Sequence, residues 1–281
     1  MTSLHPLQIE PLVKRALNED WGHADWTTDL CVDEDILAEA KIVVKQDYAV
    51  LSGTEVAFMV FKAVDPELEV RFHAGNGDNV KRGEVLCSIK GKARSILKGE
   101  RVALNFLGRL CGIATHTYNL VSLMEGSGAE LLDTRKTTPG LRILEKAASS
   151  HGGAKNHRYS LTDGVMLKEN HIAAAGGIAK AMSRLTESLP PTVKVEVETT
   201  NLSEVEQALD AGADIIMLDN MTTEEMKKAV AMVDGRAKVE ASGNVTADNV
   251  ADIAATGVDY ISTSAMFHSS KGADLSLLLN L

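Results

Sequence analysis

The chain has 281 residues, a formal net charge of −10, 44% hydrophobic and 24% charged residues, the profile of a soluble protein of one large or two ordinary domains. The acidic balance speaks against nucleic-acid binding by broad phosphate neutralisation, and no apolar run approaches the roughly 18 residues of a membrane helix. "MTSLHPLQIE" lacks a secretory layout, and Cys31, Cys87 and Cys111, without a C-x-x-C pair, read as reduced core thiols of a cytoplasmic protein.

In chain order, "IEPLVKRALNED" has helical spacing, and "AEAKIVVKQDYAVLSG" alternates like a pair of strands ending at Gly53. "TEVAFMVFKAV" follows as a helix capped by Thr54 and stopped before Pro66. "LEVRFHAGNGDNVKRGEVLCSIKG" reads as two strands around Gly-rich turns. Its G-D-x-V-x-x-G string resembles half of a biotinyl or lipoyl carrier. The lysine-bearing hairpin of such a carrier is missing, so a structural turn is expected there. "KGERVALNFLGRLCGIATHTYNLVSLME" is a long helix joining two domains, with Ala103, Leu107, Leu110, Ala114 and Val121 on a buried face.

After residue 128, apolar strand-like runs recur: "AELLDTRK", "DGVMLKEN", "VKVEVETT", "DIIMLDN", "AKVEASG" and "DYISTSA". Helical segments separate them, with Ser203 and Thr246 as N-caps and Gly212 and Gly257 as terminal glycines. Such alternation predicts a parallel sheet covered by helices. With no G-x-G-x-x-G fingerprint and six strands rather than eight, an irregular α/β barrel is the expected form.

Active sites of such barrels sit at the C-terminal strand ends. Those ends carry Asp133, Arg135 and Lys136, then Lys168, Glu169 and Asn170, then Glu198, Asp219 and Asn220, Ser242 and Gly243, and Ser262 and Ser264. Between Arg135 and His171 seven lysines and arginines face three acids, a local positive field suited to a small polyanion. Arg135 and Arg158 offer guanidinium forks for carboxylate or phosphate. The bland reading pairs them with Glu145, Asp163 or Glu169, but their clustering with Lys136, His157 and Lys168 favours a ligand. Glu198 and Asp219, one repeat apart, would suit Mg²⁺ carried in with a polyphosphate. Ser242 and Gly243 could hold a phosphate at a strand-to-helix turn. His151 and His157 lack cysteine partners for zinc. Neither a G-x-x-x-x-G-K-[ST] loop nor a G-x-S-x-G elbow occurs.

"GERVALN", "DTRKTTPGLR", "GGAKNHRYSLTDGVMLKENH", "VEVET", "GADIIMLDN" and "EASGNVT" closely resemble the quinolinate phosphoribosyltransferase family. The likeness runs in order through nearly the whole chain. It implies an N-terminal α/β sandwich over residues 1–112, an irregular α/β barrel over 113–268, and a tail, 269–281, that packs back on the first domain. It implies a homodimer or an assembly of dimers, in which Arg101 reaches the partner's site. It further implies that Thr134, Arg135, His157, Arg158 and Lys168 surround quinolinate, and that Lys136, Glu198, Asp219, Ser242, Gly243 and His268 face phosphoribosyl pyrophosphate and Mg²⁺. Lys136, Lys168, Glu198 and Asp219 would be the catalytic groups. The reaction would be a decarboxylating phosphoribosyl transfer in NAD biosynthesis.

Three positions depart from the family pattern. Ser262-Thr263-Ser264 stands where S-V-G is frequent, so Ser264 replaces a glycine at the phosphate. Ala24 and Ala154 also stand where glycines are usual. The rival readings are a paralogue acting on another pyridine carboxylate such as nicotinate, a molybdenum-associated relative, and a noncatalytic polyanion sensor. The intact T-R-K, N-H-R and L-K-E-N strings disfavour the first two, and the Glu198/Asp219 pair disfavours the sensor.

Overall fold

The computed structural model describes residues 4–281, and they divide into two compact units. The first comprises the chain through Tyr118, Thr137–Gly153 and Met266–Leu281. Helix α1 (Pro6–Trp21) turns Ile9, Val13 and Leu17 inward, and the short α2 (Trp26–Cys31) follows, capped by the Asp25 carboxylate on the Thr28 N–H. Strand β1 (Leu37–Val44) buries alternate residues and then both faces. Strand β2 (Tyr48–Val50) does not pair with it, contrary to the expected hairpin. Three strands, not two, arise from the Gly-rich segment: β3 (Glu69–Phe72), β4 (Asn79–Lys81) and β5 (Val85–Lys92). β2 pairs with β4, while β1 pairs with β5, because Gly77 and Gly83, both at positive φ, turn the chain on either side of β4. Helix α3 (Thr54–Val64) packs on α1. Thr54 is its first residue rather than its cap: the Asn76 side chain accepts the N–H groups of Gly53 and Thr54 instead.

Helix α4 (Ala93–Leu123) has 31 residues, about 46 Å at 1.5 Å per residue, and the unit boundary falls within it. Helix α5 (Arg142–His151) belongs to the first unit. The last strand, β12 (Leu275–Asn280), completes an antiparallel sheet in the order β12-β1-β5-β3. Cys87 and Cys111 are core thiols whose pKa values burial pushes up to about 12. Cys31 is exposed, because α2 turns it outward, and so departs from the core reading.

The second unit comprises Asn119–Lys136 and Ala154–Ala265. All six apolar runs form strands: β6 (Glu130–Leu132), β7 (Val165–Leu167), β8 (Val195–Thr199), β9 (Ile215–Asp219), β10 (Lys238–Ser242) and β11 (Tyr260–Ser262). They are parallel, in the order β6-β11-β10-β9-β8-β7. The intervening helices are α6 (Glu169–Ala175), α7 (Ile178–Ser188), α8 (Leu202–Asp210), α9 (Thr223–Val233) and α10 (Val250–Ala254), with α11 (Ala265–His268) closing the series. Asn201 caps α8 and Asn249 precedes α10, in place of the expected Ser203 and Thr246. The Asn201 amide oxygen accepts the Glu204 N–H in the first turn of α8, whereas the Asn249 oxygen reaches back to the Thr246 N–H.

The sheet is curled. A single bridge, Leu132 to Lys155, extends it beyond β6. In a flat sheet the segment at Lys155 would lie five strand spacings, roughly 24 Å, from β8. Yet His157 Nε2 is 3.1 Å from a Glu196 oxygen on β8. A cavity of about 620 Å³ is lined by Glu130, Val165, Glu196, Ile215, Glu240 and Tyr260, one residue from every strand. Only a barrel-like curl lets six parallel strands share one interior. Among the described residues no helix is long and apolar enough to cross a membrane.

Candidate active site

Period-2 alternation places Glu196 and Glu198 on one face of β8, Met217 and Asp219 on one face of β9, and Glu240 and Ser242 on one face of β10. Register pairs Glu198 with Met217 and Ser242 with Asp219. The interior is polar at two levels. At the C-terminal ends are Glu198, Asp219 and Ser242; Glu196 lies one pleat deeper on β8, and Glu240, in register with Met217 and so with Glu198, joins it at the His157 ring.

At the upper level the Lys168 ammonium pairs with Glu198 Oε2. Lys168 caps α6, its backbone N–H donating to His171 Nδ1 at 3.1 Å. The His171 ring thus accepts within the turn. Asp219 Oδ2 accepts from Asn220 Nδ2 at 3.0 Å, and the Asn220 oxygen accepts from Asn244 Nδ2 at 3.0 Å. Gly243 stands at φ +95°, and a Cβ there would lie 2.2 Å from Asn220 Oδ1. No side chain fits, so glycine is required for the β9 and β10 ends to meet. The Ser262 hydroxyl donates to the Ser242 oxygen at 3.2 Å. Thr263 is buried with its hydroxyl on Val245 O. Ser264 is half-buried and not at positive φ, so this backbone accepts a side chain there without strain.

The lower level is organised around segment 155–158, which runs beside β6. Asp133 is fully buried. Its carboxylate accepts the His157 N–H at 2.8 Å and the Asn156 amide at 2.7 Å. His157 Nε2 lies 3.1 Å from Glu196 Oε2 and 3.6 Å from Glu240 Oε2. Burial alone would depress the imidazole pKa, but the closeness and charge of the two carboxylates push it up to about 9. Burial in turn raises the Glu196 pKa, a shift that Glu240 reinforces and His157 opposes. Arg158 donates through Nη1 to Gly164 O at 2.9 Å. Its pKa is lowered first by burial and next by Arg135: two guanidinium groups stand close enough to repel. Thr134 accepts the Lys136 N–H at 3.0 Å in an exposed turn that leaves Lys136 in solvent.

Thr134, Arg135, Lys136, His157, Arg158, Lys168, Glu198, Asp219, Ser242, Gly243 and Ser264 all belong to this unit. Arg101 and His268, both exposed, belong to the first. Glu145, one bland partner for the arginines, is taken within the first unit by Arg109, at 2.8 and 3.1 Å. Arg142 Nε donates to Thr137 Oγ1 at 3.1 Å, a contact that orients its own loop. Sequence reasoning passed over Asp133 as a buried anchor and missed Glu196 and Glu240. The signal was present: acids at alternate positions of apolar parallel strands, "VEVE" and "KVEAS", must face the interior.

Family models for the N-terminal and C-terminal domains of quinolinate phosphoribosyl transferase match residues 25–111 and 113–278. The chain belongs to this family. It is 44% identical to a probable nicotinate-nucleotide pyrophosphorylase [carboxylating] of Synechocystis, with 99% of this chain and 95% of that protein covered. It is 37% identical to the protein of the same description from Bacillus subtilis, covering 98% and 94%. The crystal structure of NadC from Streptococcus pyogenes superposes with a TM-score of 0.96 at 39% identity, covering 100% and 99% of the two chains.

Proposed function

We propose that this family member is a quinolinate phosphoribosyltransferase, converting quinolinate and phosphoribosyl pyrophosphate to nicotinate mononucleotide, pyrophosphate and CO₂. The observation that carries the reading is the closeness of the Arg135 and Arg158 guanidinium groups, near enough that Arg135 lowers the Arg158 pKa while Glu196 and Asp163 raise it. Two planar cations brought together on one side of the barrel unit favour a further anion there. A pyridine dicarboxylate brings two negative groups on a rigid ring, matching two planar forks.

Thr134 and Lys168 complete the pyridine side, and Lys136, Ser242 and Gly243 face the phosphates. The pyridine nitrogen attacks the anomeric carbon as the bond to pyrophosphate breaks, through an oxocarbenium-like transition state. Glu198 and Asp219 place negative charge beside the developing cation, while Lys136 and Lys168 receive the charge of the leaving group. The ribosylated pyridinium then takes up the electron pair of the breaking C2–carboxylate bond, and C2 gains a proton. The donor set fits Mg²⁺: two hard carboxylates on adjacent strands leave room for substrate oxygens. The ion would neutralise pyrophosphate, held by Glu198 and Asp219 once Lys168 yields its partner.

The protein acts as a homodimer in the cytoplasm on this reading. Exposure of Trp26, Leu30 and Leu37 in the first unit supports an interface there, with Arg101 reaching the partner's site and His268 turned to the phosphates. Quinolinate labelled in its C2 carboxyl, supplied with phosphoribosyl pyrophosphate and Mg²⁺, should release labelled CO₂; turnover of nicotinate instead would select the paralogue. Arg158→Ala should weaken quinolinate binding by about 2–5 kcal/mol in calorimetry, and undiminished binding would remove its assigned role.

A further inference from the structure

Both ring nitrogens of His157 are engaged within the protein. Nδ1 accepts the Arg158 N–H at 2.7 Å, and Nε2 points at Glu196 and Glu240. In this arrangement both nitrogens face protein atoms, and the family resemblance assigns the same ring to the pyridine dicarboxylate. Its bonds lead inward, to three different strands. β6 holds its backbone N–H through Asp133, β8 holds the ring through Glu196, and β10 adds Glu240. The residue so fixed is followed directly by Arg158.

We propose that Glu196 and Glu240 are positioning residues for the pyridine dicarboxylate, fixing the His157 ring and, through its bond to the Arg158 N–H, the backbone that carries the Arg158 fork. The inference rests on the function proposed above and assigns two further side chains of the same site.

Energetics support a role beyond folding. Glu240 is fully buried, and Glu196 nearly so. Glu196 Oε1 and both Glu240 oxygens have no hydrogen-bond partner. Buried carboxylates left this bare are costly, and well-packed apolar residues of similar volume would be neutral or stabilising in their place. Glu196 also attracts the Arg158 guanidinium, as Asp163 does, while Arg135 repels it. Geometry limits the play: the ring cannot swing without leaving Glu196 on β8 and Glu240 on β10, and the backbone that carries it is tied to Asp133 just past β6.

The same three side chains place ligand atoms within 4.8 Å of one another, so a divalent cation is the competing occupant. The imidazole already occupies the space between the two carboxylates, its Nε2 3.1 Å from Glu196 and 3.6 Å from Glu240, which favours positioning over metal binding.

The test uses the full-length protein with Glu196→Gln, Glu240→Gln and His157→Asn, singly and in pairs. Making the two glutamine variants separately keeps the test alive if one fails to fold. Each should raise KM for quinolinate by about tenfold or more, with KM for phosphoribosyl pyrophosphate held within about twofold. The effects should not add in the His157→Asn background. Nitrogen-15 NMR of the histidines should report a protonated Nε2 that changes in Glu240→Gln. Equal rises in both KM values, or additive effects, would overturn the proposal. So would stoichiometric Zn²⁺ or Mn²⁺ binding that Glu240→Gln abolishes. If the wild type binds no quinolinate in calorimetry, the proposed function fails instead, while the NMR still decides whether the carboxylates hold the ring.

Discussion

Two groups of buried carboxylates divide the labour of this protein. In the first unit, Glu145 is fully buried and fully satisfied. One oxygen accepts from Arg109 at 2.8 and 3.1 Å and from the Thr138 hydroxyl at 2.8 Å, and the other accepts the Thr138 N–H at 2.9 Å. Arg109 also donates to Phe267 O and Ser270, so one ion pair ties α4, α5 and the C-terminal segment together. In the barrel unit, Glu196 and Glu240 share one imidazole and keep three oxygens without hydrogen bonds. A satisfied buried charge is a structural part. A bare one is held in readiness, and its cost is the sign of a second duty.

Removing the partner from the satisfied site should give the largest effect. Arg109→Met leaves Glu145 buried with only Thr138, and should cost about 3–5 kcal/mol of stability, lowering Tm by roughly 10 °C. Adding Glu145→Gln should recover much of that loss, because the pair is coupled. Glu240→Gln should change Tm far less, since glutamine keeps the side-chain volume and neither Glu240 oxygen has a hydrogen bond to lose. Scanning calorimetry of the variants checks both halves. A large stability loss in Glu240→Gln together with a small one in Arg109→Met would break the distinction.

The next effect is a pH dependence peculiar to the barrel site. His157 rises from an ordinary value of 6.5 to about 9 in the folded protein. Below pH 6.5 both folded and unfolded rings are protonated, and the stabilisation from Glu196 and Glu240 is fully present. As pH rises towards 9 the unfolded ring loses its proton first, and the contribution drains away. The ceiling is about 3 kcal/mol. The observed step should be smaller, because a second ring proton displaces the Arg158 N–H from Nδ1. Denaturant unfolding between pH 6.5 and 9 should therefore show a fall in the wild type that His157→Gln flattens. Equal slopes in the two proteins would contradict this account of the cluster.

The six barrel strands were legible because each is a short apolar run bounded by helical spacing and turn residues, and Lys168 and Asp219 are simply the first polar groups after their runs. Pairing between β1, β2, β4 and β5 was not legible. It depends on which edge each strand meets after its turn, and alternation carries no such information. Capping failed where asparagine acted from outside the expected position, as Asn201 and Asn76 do. Glu196 and Glu240 were hidden for another reason: local polarity marks strand ends, whereas their role depends on a histidine brought from beyond the far edge of the sheet by its curl.

The smallest effect concerns the last strand exit. Ser264 occupies a position at the phosphate where the family pattern has glycine. The backbone there is not left-handed, in contrast to Gly243, where φ is +95° and Asn220 leaves no room for a Cβ. A glycine at 264 is therefore not demanded by conformation, and a serine loses less chain entropy on folding. Ser264→Gly should lower stability by about 0.5–1 kcal/mol and leave KM for phosphoribosyl pyrophosphate within about threefold. Gly243→Ala should fare much worse on the same measurement, because its Cβ would push Asn220 away from Asp219. Were the two substitutions to act alike, the difference between the β10 and β11 exits would have to be sought in the substrate contacts and not in the backbone.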